Sequence, residues 1–272
     1  MSTEFHRLHQ SGTFLLVNVH DVGSALVAQA VGAQAIGTTS GGLAWSMGRP
    51  DFAAAVDRYD VLRHVESITA AVDVPLSVDA ENGWRHEPEG VAESIRLLAA
   101  AGAAGASIED WSGDPDRGLY DRNLAVERVQ AAVEAARSLP EPFVVCARAE
   151  AFLHGAADPM EEALARLQSF AAAGADLLYA PGPPDRAVLQ RLVADAGGPI
   201  NALIPVGSDL TFADAVELGV RRVSIGASMY RATLTLVRDL VTRALTDGTF
   251  TTDEPILTGP ELQALVQGTP DG

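Results

Sequence analysis

Asp79 and Glu81, two carboxylates two residues apart, sit in SVDAENGW (Ser77–Trp84), directly after the short apolar run VPL. Side chains of equal parity on a strand point the same way, so a strand ending here presents both acids to one place. SIEDW adds Glu109 and Asp110, CARAEAF adds Arg148 and Glu150, and the polar, Gly-rich TTSGGLAWSMGRPD ends on Asp51. Four or five acids converging on one mouth repel one another. Either some are protonated or a hard divalent cation sits among them. Oxygen donors without a neighbouring His or Cys favour Mg²⁺ or Mn²⁺ over zinc. Arg148 offers a permanently charged fork for a substrate carboxylate or phosphonate, and Thr39, Ser40 and Gly41 add hydroxyls and open backbone N–H groups for the same anion. Tyr179 and Asn201 stand at the ends of two later strands, the first before PGPP, and Asn201 is a further candidate for binding the substrate.

Other residues have plainer readings. Asp21 and Asp110 fit helix N-caps or surface charges. Cys146, one step deeper than Arg148, fits a buried core thiol, and His86 and His154 fit surface loops. Trp45, Trp84 and Trp111 fall near three mouth loops, which suggests a bulkier, less polar pocket.

These residues need a scaffold that brings many strand ends together. Short apolar runs at Phe14–Val19, Ala35–Thr38, Leu76–Asp79, Gly105–Glu109, Phe143–Arg148, Leu177–Ala180, Ile200–Leu203 and Arg222–Ile225 predict eight strands. Amphipathic stretches lie between them. In VAESIRLLAAAGA, Val91, Ile95, Leu98 and Ala99 recur at helical spacing with Glu93 and Arg96 opposite. Gly102 then ends the helix, as Gly32, Gly174 and Gly219 end three others. Eight such units predict a closed (β/α)8 barrel of the α/β class over residues 1–250, whose chemistry gathers at the C-terminal strand ends. An open doubly wound sheet competes, but NVHDVGSA after the first strand carries no G-x-G-x-x-G turn. Residues 251–272 predict an exposed extension with one short helix, Gly259–Val266.

Composition narrows the partners. A net charge of −17 argues against nucleic acid or an anionic membrane, and it requires a locally positive site for an anionic substrate. One cysteine in 272 residues fits a reducing cytoplasm, and neither an apolar leader nor a membrane-length apolar run is present.

DVGSALVAQAVGAQAIGTTSGGLAWSMGRPD, VPLSVDAENGW, AGAAGASIED, PFVVCARAEAFLHG, AGADLLYAPG and LGVRRVSIG together resemble the isocitrate lyase/phosphoenolpyruvate mutase superfamily, within its phosphoenolpyruvate mutase-like part. The resemblance runs from about Phe14 to about Phe250. It implies a barrel that forms homodimers or homotetramers by swapping its last helix. It further implies Mg²⁺ held, directly or through water, by Asp51, Asp79, Glu81 and Glu109, and a small 2-oxo or 2-hydroxy acid bound at Thr39, Ser40, Gly41 and Arg148. The chemistry implied is cleavage beside a metal-stabilised enolate, with Asp51 or Glu109 orienting metal waters and Tyr179 or water supplying a proton. Lyases of the superfamily that split isocitrate or methylisocitrate carry a Lys-Lys-Cys-Gly-His lid after strand 4. Here that stretch is DWSGDPDRGLYDRN, without cysteine or lysine, which favours decarboxylation or retro-aldol cleavage of a simpler acid. Phosphonopyruvate hydrolysis or phosphoryl rearrangement is the alternative, and a catalytically silent relative is a third.

Overall fold

The computed structural model describes residues 1–51, 56–182, 185–253 and 255–267; Pro183 and Pro184 of PGPP, and residues 268–272 of the extension, lie outside them. Eight strands form: β1 (Phe14–Asn18), β2 (Ile36–Gly37), β3 (Leu76–Asp79), β4 (Gly105–Glu109), β5 (Val144–Arg148), β6 (Leu177–Tyr179), β7 (Ile200–Leu203) and β8 (Arg222–Ser224). Each runs parallel to the next and β8 closes on β1, so the expected (β/α)8 barrel is the architecture. The expected strands are right in position, and five are trimmed, four by one residue at one end and β2 by one residue at each end.

Alternation divides the strand residues between two cores. Outward-facing Val17, Ile36, Leu76, Val78, Ile108, Val145, Leu178 and Val223 pack with the helices. The helices are α1 (Ser2–Leu8), α2 (Val22–Ala30), α3 (Ser40–Ser46), α4 (Arg58–Thr69), α5 (Pro88–Ala100), α6 (Arg122–Arg137), α7 (Pro159–Ala172), α8 (Arg186–Asp195), α9 (Phe212–Leu218), α10 (Ser228–Thr246) and α11 (Gly259–Gln267). In α5, Val91, Ile95 and Leu98 are buried while Glu93 and Arg96 are exposed, as the spacing requires. Gly102 leaves that helix at φ +92°, a left-handed turn that costs an L side chain and that Gly32, Gly174 and Gly219 repeat elsewhere.

Two stretches depart from expectation. TTSGGLAWSMGRPD is not wholly a loop. Thr39 takes an N-cap position and Ser40–Ser46 folds as α3, its glycines and Leu43 buried against the barrel. Burial there outweighs the poor helix propensity of two glycines. The extension holds α11, one residue longer than expected, which packs against α2.

The N-terminal end of the barrel is closed by α1. Phe5 is fully buried with Phe14, Ala35, Ala104 and Val144, which lie at or before strand starts, and with Leu16 one step further in. Gly105 makes room: a Cβ there would come within 2.9 Å of the Phe5 ring and 2.7 Å of the Val144 carbonyl oxygen. His9 completes the plug, its Nδ1 2.8 Å from the Phe5 carbonyl and its ring edge-on to Phe5 and Phe14.

Burial, reinforced by the nearby Arg222 charge, pushes His9 down to about 3, so it is neutral in the fold. A group whose pKa is lowered on folding contributes stability above its unfolded value and loses it as pH falls. The plug should therefore weaken between pH 6.5 and 3, by up to about 1.4 kcal/mol per pH unit. Urea unfolding of the wild type and His9→Gln at pH 7, 5.5 and 4.5 checks this; the gap between them should narrow with acid, and a constant gap contradicts it.

Candidate active site

One arginine organises the C-terminal mouth. Register places Arg148 beside Glu109 on one side and Tyr179 on the other. Its Nη1 donates to Asp79 Oδ1 at 2.7 Å, its Nε to Glu150 Oε1 at 2.8 Å, and its Nη2 lies 3.2 Å from Glu109 Oε2. Asp79 is further fixed by the Ser40 backbone N–H on Oδ2 (3.0 Å), while its own N–H donates to Thr38 Oγ1 (2.9 Å). Five N–H groups belong to a guanidinium. Two of them donate to carboxylates of the same chain and Nη2 lies within ion-pair distance of a third, leaving N–H groups on the terminal nitrogens of Arg148 for a ligand. The expected substrate clamp is thus first of all the counter-charge of the site.

One positive charge among so many acids leaves an excess of negative charge. Burial lifts Glu109 well above the usual carboxylate range despite Arg148, and it lifts Glu150 to about 7 in the same contest. Glu81 is pushed up to about 7, first by burial and then by the charges of Asp79 and Asp51. Burial works against the charge on Arg148, but Glu150, Glu109 and Asp79 outweigh it and hold the guanidinium charged.

Glu81 reaches this place by an unexpected route. Strand β3 ends at Asp79, so shared strand parity does not carry Glu81; instead its backbone is left-handed at φ 45°, and its carbonyl accepts the Glu109 N–H at 2.9 Å. A non-glycine residue in that region stores strain, which concentrates at functional sites. Asp51 comes in over the start of α3 because Gly41 lacks a side chain: a Cβ there would lie 2.6 Å from Asp51 Oδ2. The glycine expected as an anion-binding position therefore also gives an acid its room.

Asp51, Asp79 and Glu81, with Thr38, Thr39 and Ser40, line a recess of about 10 Å³, the scale of one water-sized body. It adjoins a cavity of about 550 Å³ whose wall includes Thr39, Ser40, Gly41, Trp45, Asp51, Asp79, Arg148 and Tyr179. That volume suits a small-molecule ligand. Tyr179 is buried beneath it and raised by that burial, so its phenol keeps its proton at neutral pH. Asn201 lies buried and spends its amide elsewhere, accepting from Arg222 Nε at 2.7 Å and donating to Ser224 Oγ at 2.9 Å. Among the described residues, no three Asp, Glu, His or Cys side chains stand close enough to clasp a bare metal ion. Mg²⁺ keeps several waters and takes one or two carboxylates directly. The excess of acid at the edge of the larger cavity fits such a hydrated ion, with Asp51, Asp79 and Glu81 the residues that would hold it and Glu109 behind Arg148.

Several residues carry the site from behind. Asp110, expected at the surface or as a cap, is buried: its Oδ1 accepts the Glu150 N–H (2.8 Å) and its Oδ2 meets Arg166 (3.0 Å). Asp21 is a cap, accepting from Ser24 N at 2.7 Å. Cys146 is buried, His86 reaches the Tyr120 hydroxyl (2.7 Å), and His154 stacks on the buried Trp111 at 4.2 Å. The stretch after β4 is held as a small hairpin by the Trp111–Leu119 bridge, over Tyr120 and the buried Arg128. Arg222 and Arg166 escaped notice because an arginine in a strand or helix reads as surface; inward parity with Ser224 was the available signal for Arg222.

The family described as phosphoenolpyruvate phosphomutase matches residues 5–245 of the chain. The chain belongs to the phosphoenolpyruvate mutase/isocitrate lyase superfamily. The crystal structure of a candidate lyase/mutase of Burkholderia cenocepacia J2315 superposes with a TM-score of 0.93 at 40% identity, covering 99% of this chain and 96% of that one. The oxaloacetate decarboxylase of Paraburkholderia xenovorans is 30% identical over 94% of this chain and 85% of its own length. The 2-methylisocitrate lyase of Salmonella typhimurium is 36% identical over 70% of this chain and 64% of its own. Superfamily relatives are thus enzymes named for lyase and decarboxylase reactions, and the acid-lined mouth is the chain's candidate active site.

Glu81 must lose its proton to hold a cation. Mg²⁺ affinity should therefore rise by up to about tenfold per pH unit up to about 7 and release a proton on binding. Calorimetric titration at pH 6 and 8 in buffers of different ionisation enthalpy reads both effects. Glu81→Gln should flatten the dependence; Mg²⁺ binding equal in wild type and variant at both pH values contradicts the assignment.

Proposed function

We propose that the chain is a Mg²⁺-dependent lyase that breaks a C–C bond next to the carbonyl or hydroxyl carbon of a small 2-oxo or 2-hydroxy carboxylic acid. The observation that carries this is the surplus of carboxylates set round Arg148 beside a water-sized recess. When bound, the metal supplies Lewis acidity that steadies an enolate oxygen. The chain's own residues do the rest. Asp51, Asp79 and Glu81 supply the negative charge that holds the ion. The Arg148 guanidinium and the Thr39 and Ser40 hydroxyls line the cavity for the substrate carboxylate. Tyr179, neutral and facing the same cavity, is placed to hand a proton to the carbon released.

The stretch after β4 supports a reaction without a lid thiol. It holds no cysteine, and it is closed on itself by the Ser112 N–H on the Gly118 carbonyl (3.1 Å) and the Tyr120 N–H on the Asp110 carbonyl (2.8 Å). Decarboxylation or retro-aldol cleavage of a simple acid is therefore preferred over cleavage of isocitrate or methylisocitrate. P–C bond chemistry on phosphonopyruvate is the second reading, favoured by the family description.

With Mg²⁺, pyruvate should appear from oxaloacetate at a rate that chelation removes and that Asp79→Asn lowers by about 100-fold or more. Phosphate from phosphonopyruvate in its place would move the assignment to the second reading. Silence across a panel of 2-oxo and 2-hydroxy acids, with Mg²⁺ binding intact, would leave a non-catalytic relative.

Assembly belongs to the same proposal. Helix α10 buries only Ser228 and exposes Leu234, Val237, Val241 and Leu245 at helical spacing, an apolar stripe that its own barrel does not cover. A homodimer or homotetramer in which a partner covers this stripe accounts for it, in keeping with exchange of the last helix. Light scattering on the full chain should show a dimer or larger, and Val237→Glu with Val241→Glu should yield monomer; a wild-type monomer refutes the assembly. No described helix is long and apolar enough to cross a membrane, and the single buried cysteine suits the cytoplasm proposed as its place.

A further inference from the structure

The cavity does not stop at the acids. It continues past Ser77 and Ser107 into the barrel, where small side chains leave it open, and its wall there includes Arg222 and Ser224. Arg222 is the first residue of β8, in register with Phe14 at the closed end of the barrel. It is 3% exposed. Its Nε donates to Asn201, but its Nη1 is buried without a hydrogen-bond partner.

The other inward arginines make the contrast. Arg128 donates to the carbonyls of Asn82, Arg85 and His86 and lies over the Tyr120 ring. Arg166 meets Asp110, Glu162 and the Tyr120 carbonyl. Arg148 meets three carboxylates. Arg222 forms no ion pair with any described carboxylate; the groups acting on it are the Cys146 thiol, the Tyr179 phenol and the like charge of Arg148. A buried cation without an anion is costly, and leaving one of its N–H groups unmet adds to the cost. A negatively charged ligand group reaching the guanidinium from the cavity removes the first of these penalties. Ser224 stands two residues along with the same parity; its Oγ accepts from Asn201, which leaves its hydroxyl hydrogen to donate.

We propose that Arg222 and Ser224 form a deep anion-binding subsite that takes a carboxylate of the ligand, distinct from the metal-facing end of the cavity. The ligand is then an acid with a second negative group, its first end among the acids and Arg148, its second held between the Arg222 guanidinium and the Ser224 hydroxyl. This rests on the proposed metal site only for where the first end lies. The rival arrangement is a water shared between Arg222 and the unpartnered Nε2 of His9 below it, with no role in ligand binding.

Calorimetry on the full chain with Mg²⁺ separates these, using malate, its monocarboxylate counterpart lactate, and oxalate, which lacks a second end. Malate should bind at least about tenfold tighter than lactate. Arg222→Gln should bring malate down to the lactate level and leave oxalate unchanged, while Arg222→Lys keeps part of the preference. Equal affinity for malate and lactate in the wild type overturns the subsite, whatever the variants do. So does an Arg222→Gln or Arg222→Lys protein that weakens malate and oxalate in the same proportion, which marks a structural arginine. Loss of oxalate binding in the wild type strikes the metal site instead, and the malate-to-lactate ratio still decides the subsite.

Discussion

The contact of Arg148 with Asp79, Glu109 and Glu150 is the interaction on which the mouth of this barrel depends. Three strands would otherwise end in buried carboxylates facing one another, and burial alone already drives Glu109 and Glu150 toward the protonated form. Breaking such a contact from the arginine side leaves several uncompensated charges in a low-dielectric setting, which costs more than the pair returns in isolation. Asp110 extends the arrangement outward, linking the Glu150 backbone to Arg166 on α7, so the acids are braced by a helix as well as by the sheet.

That arrangement is under-compensated by design of charge rather than by accident of packing. Arg148 balances one carboxylate of its three, and Glu81 adds to the surplus from a left-handed backbone, while Asp51 stands over a glycine that leaves it space. Strain and crowding of like charge are tolerated at a site when ligand binding relieves them. A hydrated divalent cation is the relief proposed for the outer part of the cavity, and an acid's second carboxylate for the buried Arg222 within it.

Much of this was legible in the sequence because parallel strands buried on both faces show as short apolar runs with turn glycines between them. Asp79, Glu109 and Arg148 could be placed at strand ends by the same alternation that places Val78, Ile108 and Ala147 outward. What was not legible depends on partners distant in the chain. That Arg148 would be occupied by its own neighbours requires β3, β4 and β5 in register. Glu81 lies beyond its strand, where parity no longer speaks. The α3 helix was hidden because two adjacent glycines argue locally for a loop, while its stability comes from burial against the barrel. Asp110 and Arg166 read singly as surface charges, and only their mutual burial shows otherwise.

The Phe5 plug gives the barrel a single door. With Phe5, His9 and Phe14 sealing one end, traffic passes only by the opposite rim, so the interior works as a blind well. Under the proposed reaction, fragments of a cleaved acid could not part in opposite directions: the one nearer the rim would depart first, and the one seated lower would wait behind it. Under the proposed cleavage, release from such a vessel runs as a stack, last in and first out, imposed by a seven-residue helix far from the bond that would break.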